Sequence, residues 1–408
     1  MKKQANSSGI SALLYLALAA FIMHTGFLLW VFLQDGTIGT YRWGYGAPIL
    51  ILAALGALPL VLVLTIKSIF KEKAFPKAGS VLISVASILS LLIILVVGLF
   101  VLGNAYGPAV RTDASPVILD PDNGISVSQN RNERIFVSSD PHVDRDISAH
   151  AERRAILSMA QKEYSAGKLD AFFVLGDYVE YGLFASGWKK AVTEFGTYAP
   201  DVPFVCLMGN HDSIIGGRTR WTHAFGPPSG KPKNALSTSS FRIDADRLHF
   251  ISLDCFWDAD VFGKREQDWL VKQLDSIPED HFTIVLSHAF FYSSGYIDKG
   301  TGKPWYDNKG MIAKIAPFLE GKADLVVSGH NHYMEWLKTD GTAWAIIGAM
   351  GGIPDPEPFY YSPYSKWQSY GIFGYLELEL TEAGLLCTFR RHDGKELYND
   401  LVKPKSSR

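Results

Sequence analysis

The stretch Pro203-Phe-Val-Cys-Leu-Met-Gly-Asn-His-Asp212 decides how this chain is read. Its apolar run, 204–208, stops abruptly at Gly209, Asn210, His211 and Asp212. Such a run fits a buried parallel strand whose polar residues sit on the loop past its C-terminal end. Open α/β sheets place their chemistry at that edge. Four other runs end alike: 172–175 before Gly176-Asp177, 325–327 before Gly329-His330-Asn331-His332, 135–137 before Asp140-Pro141-His142, and 283–286 before His288. Five strands delivering Asp, Asn and His to one rim are hard to explain as packing.

The chain has 408 residues, room for a sizeable catalytic domain and a second part. A net charge of -2 gives no electrostatic footprint for nucleic acid. The three cysteines, Cys206, Cys255 and Cys387, form no CxxC pair, which argues against a zinc finger or a thioredoxin-type site. Cys206 lies within an apolar run and reads as a small buried hydrophobe.

Three uncharged apolar segments come first, at 10–33, 47–66 and 80–102. Each is near the ~20 residues an α-helix needs to cross a bilayer. A cleaved leader is shorter than the first, and two more segments follow it. Lys2 and Lys3 precede the first, and Lys67, Lys71, Lys73 and Lys77 separate the second from the third. Only Arg42 lies between the first and second. The positive-inside rule then places the N-terminus in the cytoplasm and everything after Asn104 outside. The expectation is an integral protein of a plasma or inner membrane with an extracytoplasmic catalytic domain. His24 has no acidic partner in these segments and reads as a neutral ring hydrogen-bonded to a neighbouring helix. Segments this poor in charge suit an anchor better than a transporter. The expected domains are an anchor over 1–103, a Gly/Pro-rich linker over 104–133 with one short strand at 125–127, and a catalytic domain over 134–400.

Within that domain, helices are expected over 148–166 with Ser148 as cap, 188–198, 266–277 and 308–319. Asp140 and His142, on alternate positions at a strand end, can converge on one cation. Asp177, after a glycine that permits close approach, is the best candidate to bridge two metals. His330 and His332, two apart in extended chain, point to one side. The long 212–241 segment either is a solvated loop or brings Arg218, Arg220 and Trp221 to a phosphate. Residues 348–352 carry three glycines but no Lys-Ser/Thr, so they are not a phosphate-binding loop and read as backbone passing near the site. The basic tail from Lys403 reads as solvated.

In order, DPH, GD, GNHD, SH and GHNH resemble the calcineurin-like metallophosphoesterases, over about 134–390. The resemblance implies an α/β fold, a β-sandwich flanked by helices in four α/β/β/α layers, here preceded by three transmembrane helices. It implies two metal ions, Mn, Zn or Fe, one held by Asp140, His142, Asp177 and His332, the other by Asp177, Asn210, His288 and His330. It implies hydrolysis of phosphate esters by in-line attack of a metal-bridging hydroxide. His211 would serve the leaving group as acid and Asp212 would orient it. Lipid-linked and nucleotide esters both suit the pattern, with diesters slightly favoured over monoesters. Purple acid phosphatases carry a Tyr three residues after the GD aspartate; here Glu180 stands there, so no iron-tyrosinate colour is expected. The alternatives are an acid-phosphatase-like monoesterase and a non-catalytic membrane receptor or scaffold that keeps the fold.

Overall fold

The structure is a computed structural model, and it describes residues 12, 14–26, 56–64, 81–92, 95, 115–127, 133–214, 217–299 and 302–407. The chain divides into two compact units, Met1–Pro108 with Ile214–Gly216, and Ala109–Ser213 with Gly217–Arg408.

In the first unit, residues 14–26, 56–64 and 81–92 are helical. The three expected spans fall partly outside the described residues. Among the described residues no helix is long and apolar enough to cross a membrane, so the transmembrane preface is not carried by them. Ala17, Val63 and Ile83 form a small buried cluster. His24 is buried, but not as expected: its ring packs on Gly56, whose added Cβ would lie 2.1 Å from Cγ, and its Nδ1 has no hydrogen-bond partner.

The second unit carries strands β1 (Val117–Ile118), β2 (Arg134–Ser138), β3 (Ala171–Val174), β4 (Pro203–Cys206), β5 (Arg242–Ala245), β6 (Leu248–Leu253), β7 (Phe282–Ser287), β8 (Tyr296–Ile297) and β9 (Pro304–Trp305). They are followed by β10 (Leu325–Ser328), β11 (Met334–Lys338), β12 (Ala343–Ile347), β13 (Ser365–Ser369), β14 (Gly374–Thr381), β15 (Gly384–Arg391) and β16 (Glu396–Val402). One sheet has the order β1-β4-β3-β2-β14-β15-β16 and the other β13-β11-β12-β10-β7-β6-β5, while β8 and β9 form a separate ribbon. β1 to β4 run parallel, as do β6, β7, β10 and β12.

Strand alternation builds the layers, because successive side chains leave opposite faces of a strand. Ile135 and Val137 of β2 enter a core between the sheets with Phe173, Phe250, Leu286 and Val327. Phe136, between them in sequence, points the other way, into a core with Ile156, Leu157, Trp188 and Phe195. Those residues come from α1 (His150–Ser165) and α2 (Ala185–Tyr198). On the far face of the second sheet, Val285 and Val326 pack against Leu270 and Leu274 of α4 (Lys264–Asp275), which follows α3 (Gly217–Ala224). The result is the expected α/β/β/α stack. With helices on both outer faces, the parallel strands are buried on both sides, which is why they read as unbroken apolar runs. Phe173 stacks on Phe250 across the inter-sheet core at 4.5 Å, worth about 0.5–1.5 kcal/mol beyond area burial.

Four local expectations are corrected. The region before the domain has no strand at 125–127; instead β1 pairs with β4, and the Ile125 amide donates to the Asp244 carbonyl. Ser148 does not cap α1, whose N-cap is Ala149; its hydroxyl donates to the Arg145 carbonyl. Residues 308–319 form two short helices, α5 (Lys309–Lys314) and α6 (Ala316–Leu319), parted at Ile315 before Pro317. The tail is not simply solvated, because the Lys405 ammonium donates to the Thr283 hydroxyl.

Candidate metal centre

All five motif loops leave the C-terminal ends of parallel strands: β2, β3 and β4 in one sheet, β7 and β10 in the other. The loops must then turn sharply to aim their side chains inward. Asp140 (φ 61°), His142 (φ 42°), Asp177 (φ 57°) and His330 (φ 72°) all occupy the left-handed region. That region is costly for residues with a Cβ, and such strain gathers at functional sites. The loops also pack without spare room: a Cβ on Gly209 would lie 2.1 Å from Asp177 Oδ1, and one on Gly352 2.5 Å from His332 Cε1. The glycines of 348–352 do let backbone pass beside the site, as expected.

The side chains fall into three clusters with ligand atoms within 4.8 Å of one another: Asp140, His142 and His332; His142, Asp177 and His211; Asp177, His288 and His330. Asp177 belongs to two of them, the position a bridging carboxylate needs. His332 Nε2 is 3.3 Å from Asp140 Oδ1, and His288 Nε2 is 3.3 Å from Asp177 Oδ2. His142 Nε2 lies 4.0 Å from Asp140 Oδ1 and 3.7 Å from Asp177 Oδ2.

The outer nitrogens of three rings face acceptors. His288 Nδ1 donates to the Leu175 carbonyl (2.9 Å), His332 Nδ1 to the Ile353 carbonyl (2.7 Å) and His211 Nδ1 to the Glu180 carbonyl (2.6 Å). A backbone carbonyl only accepts, so each Nδ1 carries the proton and a neutral ring presents an Nε2 lone pair inward. Asn210 Oδ1 then stands 2.8 Å from His288 Nε2 and 2.7 Å from His330 Nδ1, with those nitrogens 3.2 Å apart. Lone pairs converging in a buried place need a proton or a cation among them. Asp140 Oδ1, His142 Nε2 and Asn210 Nδ2 are likewise buried without a hydrogen-bond partner. These residues fit a pair of metal ions, and the donor set of carboxylates, imidazoles and an amide suits Zn, Fe or Mn.

The electrostatics agree. Burial alone would depress His288, but Asp177 and Asp140 outweigh it and hold the ring up to about 9. Burial opposes the charge of His332 too, and Asp140 raises it to about 9. Burial and the neighbouring His288 push His330 down to about 3. Burial works against ionised Asp177, yet His288 and His211 keep it well below the usual carboxylate range. Asp140 and Asp177 thus stay charged inside the protein by drawing positive charge to them.

Asp212 ties loop backbone together. Its buried carboxylate accepts the backbone N–H groups of Asp177 (2.7 Å), Gly209 (2.9 Å) and Val179 (3.3 Å), pinning two motif loops together. In Asp212→Asn at least one buried donor faces an N–H instead of an oxygen, at a cost of about 1–3 kcal/mol. A lower melting temperature is expected. A variant as stable as the parent but inactive would give Asp212 a direct part in the chemistry.

Arg218 and Trp221 are engaged within the fold: Arg218 pairs with Asp254 at 3.0 Å, and the buried Trp221 donates to the Leu207 carbonyl. Arg220 is buried on the same helix, α3.

Sequence reasoning missed a supporting ring. Glu180 Oε2 lies 3.0 Å from His142 Nδ1, and Arg145 holds that carboxylate at 3.0 Å. Asp355 accepts the His332 amide (2.8 Å) and the Tyr296 hydroxyl (2.9 Å). Buried Arg153 donates to the Pro141 carbonyl, between Asp140 and His142 (2.7 Å). Only Glu180 had a signal, its place three residues after Asp177. A carboxylate behind a ligating imidazole fixes the ring and raises its basicity. Glu180→Gln should lower metal affinity or activity roughly 10–100-fold. Metal titration of the variant checks it, and an unchanged affinity with unchanged turnover would leave this contact without a role.

Residues 133–334 match the family model described as calcineurin-like phosphoesterase. Among solved structures, the chain resembles purple acid phosphatase PPD1 from yellow lupin seeds at 16% identity, with a TM-score of 0.54; the match covers 71% of this chain and 55% of that one. It also resembles GAP50 of Plasmodium, the anchor in the inner membrane complex, at 16% identity and a TM-score of 0.49, over 67% of this chain and 89% of that one. The chain therefore spans about half the length of the lupin protein. At these identities the likeness is one of fold. No curated protein matches the chain.

Proposed function

Residues 133–334 make this chain a member of the calcineurin-like phosphoesterase family, a metal-dependent phosphoric ester hydrolase, and from that premise we propose that it is a membrane-tethered enzyme that uses two metal ions at this centre. The observation that carries the site is the convergence of Asp140, His142, Asp177, Asn210, His288, His330 and His332 with buried atoms that lack partners. Two bound cations would polarise the phosphoryl oxygens and lower the pKa of a water. The chain's own residues do the rest. Asp177 bridges the two ligand sets, and Asp212 and Arg153 hold the loops that carry them. Glu180 points to the outer nitrogen of His142 rather than joining the ligand set. His211 keeps Nε2 turned toward the centre, 4.0 Å from Asp177 Oδ2, where a protonated ring can serve the leaving oxygen.

Tethering rests on the first unit. Leu58, Val61 and Leu64, and Val81, Val85, Ile88 and Leu92, are exposed apolar side chains on its helical residues. Lipid is the solvent that suits such faces, and the lysine distribution supports an extracytoplasmic catalytic unit. The test is one preparation of full-length protein. Membrane association that resists alkaline carbonate, two metal equivalents per chain, and metal-dependent release of p-nitrophenol from bis-p-nitrophenyl phosphate are expected. A protein washed off by carbonate loses the tether. A metal-loaded protein idle on mono- and diesters alike loses the hydrolase.

A further inference from the structure

A cavity of about 300 Å³ opens beside His330, and its wall is unusually aromatic. Trp257, Phe290, Trp305 and Tyr306 line it together with Lys303 and Lys309. The His330 ring lies 5.2 Å from Trp257, 5.3 Å from Trp305 and 5.8 Å from Phe290, so the cavity and the metal centre share that histidine. Trp305 stands on the β8–β9 ribbon, and its indole N–H donates to Asn331 Oδ1 at 2.9 Å, between His330 and His332. Its plane is thereby tied to the ligand loop. Trp257 meets Trp305 at 67°, so the cavity offers both a ring face and a ring edge. The acids of this wall are already engaged: Asp258 accepts the Ala259 amide, and Asp307 accepts the Ser293 amide and the Tyr360 hydroxyl. The wall thus combines apolar rings with two lysines and two hydrogen-bonded carboxylates.

We propose that this cavity takes the organic group of the substrate ester and that the group is a flat aromatic ring, a nucleobase or an aryl group. The inference rests on the hydrolase reading of the neighbouring centre. A phosphoryl group held there carries its ester oxygen within a bond length of phosphorus, and a substituent on that oxygen can extend past His330 into the adjoining cavity. Rings recognise rings through stacked and edge-on contacts, and a lysine beside them complements phosphate charge or a base carbonyl. The volume is at the small end for ligand pockets, enough for one ring system and short for a long acyl chain.

The experiment is calorimetric titration of full-length, metal-loaded protein with adenosine 5′-monophosphate, phenyl phosphate, decyl phosphate and glycerol phosphate, with hydrolysis of the same compounds followed alongside. The two ring-bearing ligands should bind roughly 5–150-fold tighter than glycerol phosphate, the range that one stacked ring supplies. Trp257→Leu should collapse that gap. Trp305→Phe keeps a ring and should retain most of it, which separates loss of stacking from loss of folding. Whichever of the two ring ligands binds tighter distinguishes base from aryl. Decyl phosphate as tightest ligand, or glycerol phosphate equal to the ring compounds, overturns the proposal and leaves the hydrolase standing. Failure of all four ligands to bind overturns the proposal, and hydrolysis of bis-p-nitrophenyl phosphate by the same preparation then decides the hydrolase reading separately.

Discussion

Asp177→Asn is expected to cost about 10³-fold or more in kcat/KM toward bis-p-nitrophenyl phosphate and to lower the metal content below two per chain. Asp177 is the carboxylate shared by two ligand clusters, so its charge would face both proposed ions. Lewis-acid stabilisation is worth several kcal/mol, and each 1.36 kcal/mol is tenfold in rate. Asparagine is also the substitution that disturbs the fold least. It tolerates the left-handed backbone at φ 57°, and its amide oxygen can still accept the His211 N–H that Oδ1 accepts at 2.9 Å. A loss of activity with an unchanged melting curve therefore reports on charge. Hydrolysis that survives the substitution at full rate, with both metals still bound, would end the bridging assignment.

His211→Ala should lower kcat about 10²–10⁴-fold for alkyl esters, the usual weight of a positioned acid. The effect on p-nitrophenyl esters should be far smaller, since p-nitrophenolate leaves without a proton. Metal content should not change. The tautomer supplies a pH signature. Nδ1 donates to the Glu180 carbonyl, so a neutral ring has only a lone pair at Nε2, and the ring must be protonated to serve as acid. Burial holds His211 below its ordinary 6.5 against the pull of Asp177. The acid form is then lost as pH rises, at a lower pH than for an ordinary imidazole, and alkyl-ester turnover should fall with it. That descending limb should vanish in His211→Ala. Equal losses for alkyl and p-nitrophenyl esters would make His211 a binding residue, and parallel loss of metal would make it a ligand.

Much of this centre was legible in the chain because each motif is local. A doubly covered parallel strand needs apolar residues on both faces, so β2, β3, β4, β7 and β10 stand out as short apolar runs. The polar residues just after them can only be at the strand ends. Edge strands carry no such mark. Ser365–Ser369 and Glu396–Val402 mix polar and apolar residues, because one side meets water, and the run criterion passes over them. The two-residue β1 is too short to show any period.

The ordered GD, GNHD and GHNH motifs by themselves determined the family, the strand-end rim and which side chains are fit to hold metals, since local polarity and chain direction suffice for that. Only the tertiary structure decided what stands behind them. Asp212 pins loops from β3 and β4, Glu180 backs His142, and Trp257 and Trp305 close on His330 from segments distant in the chain. Those contacts depend on how separate elements pack, and a residue's neighbours in sequence carry no record of its neighbours across a core.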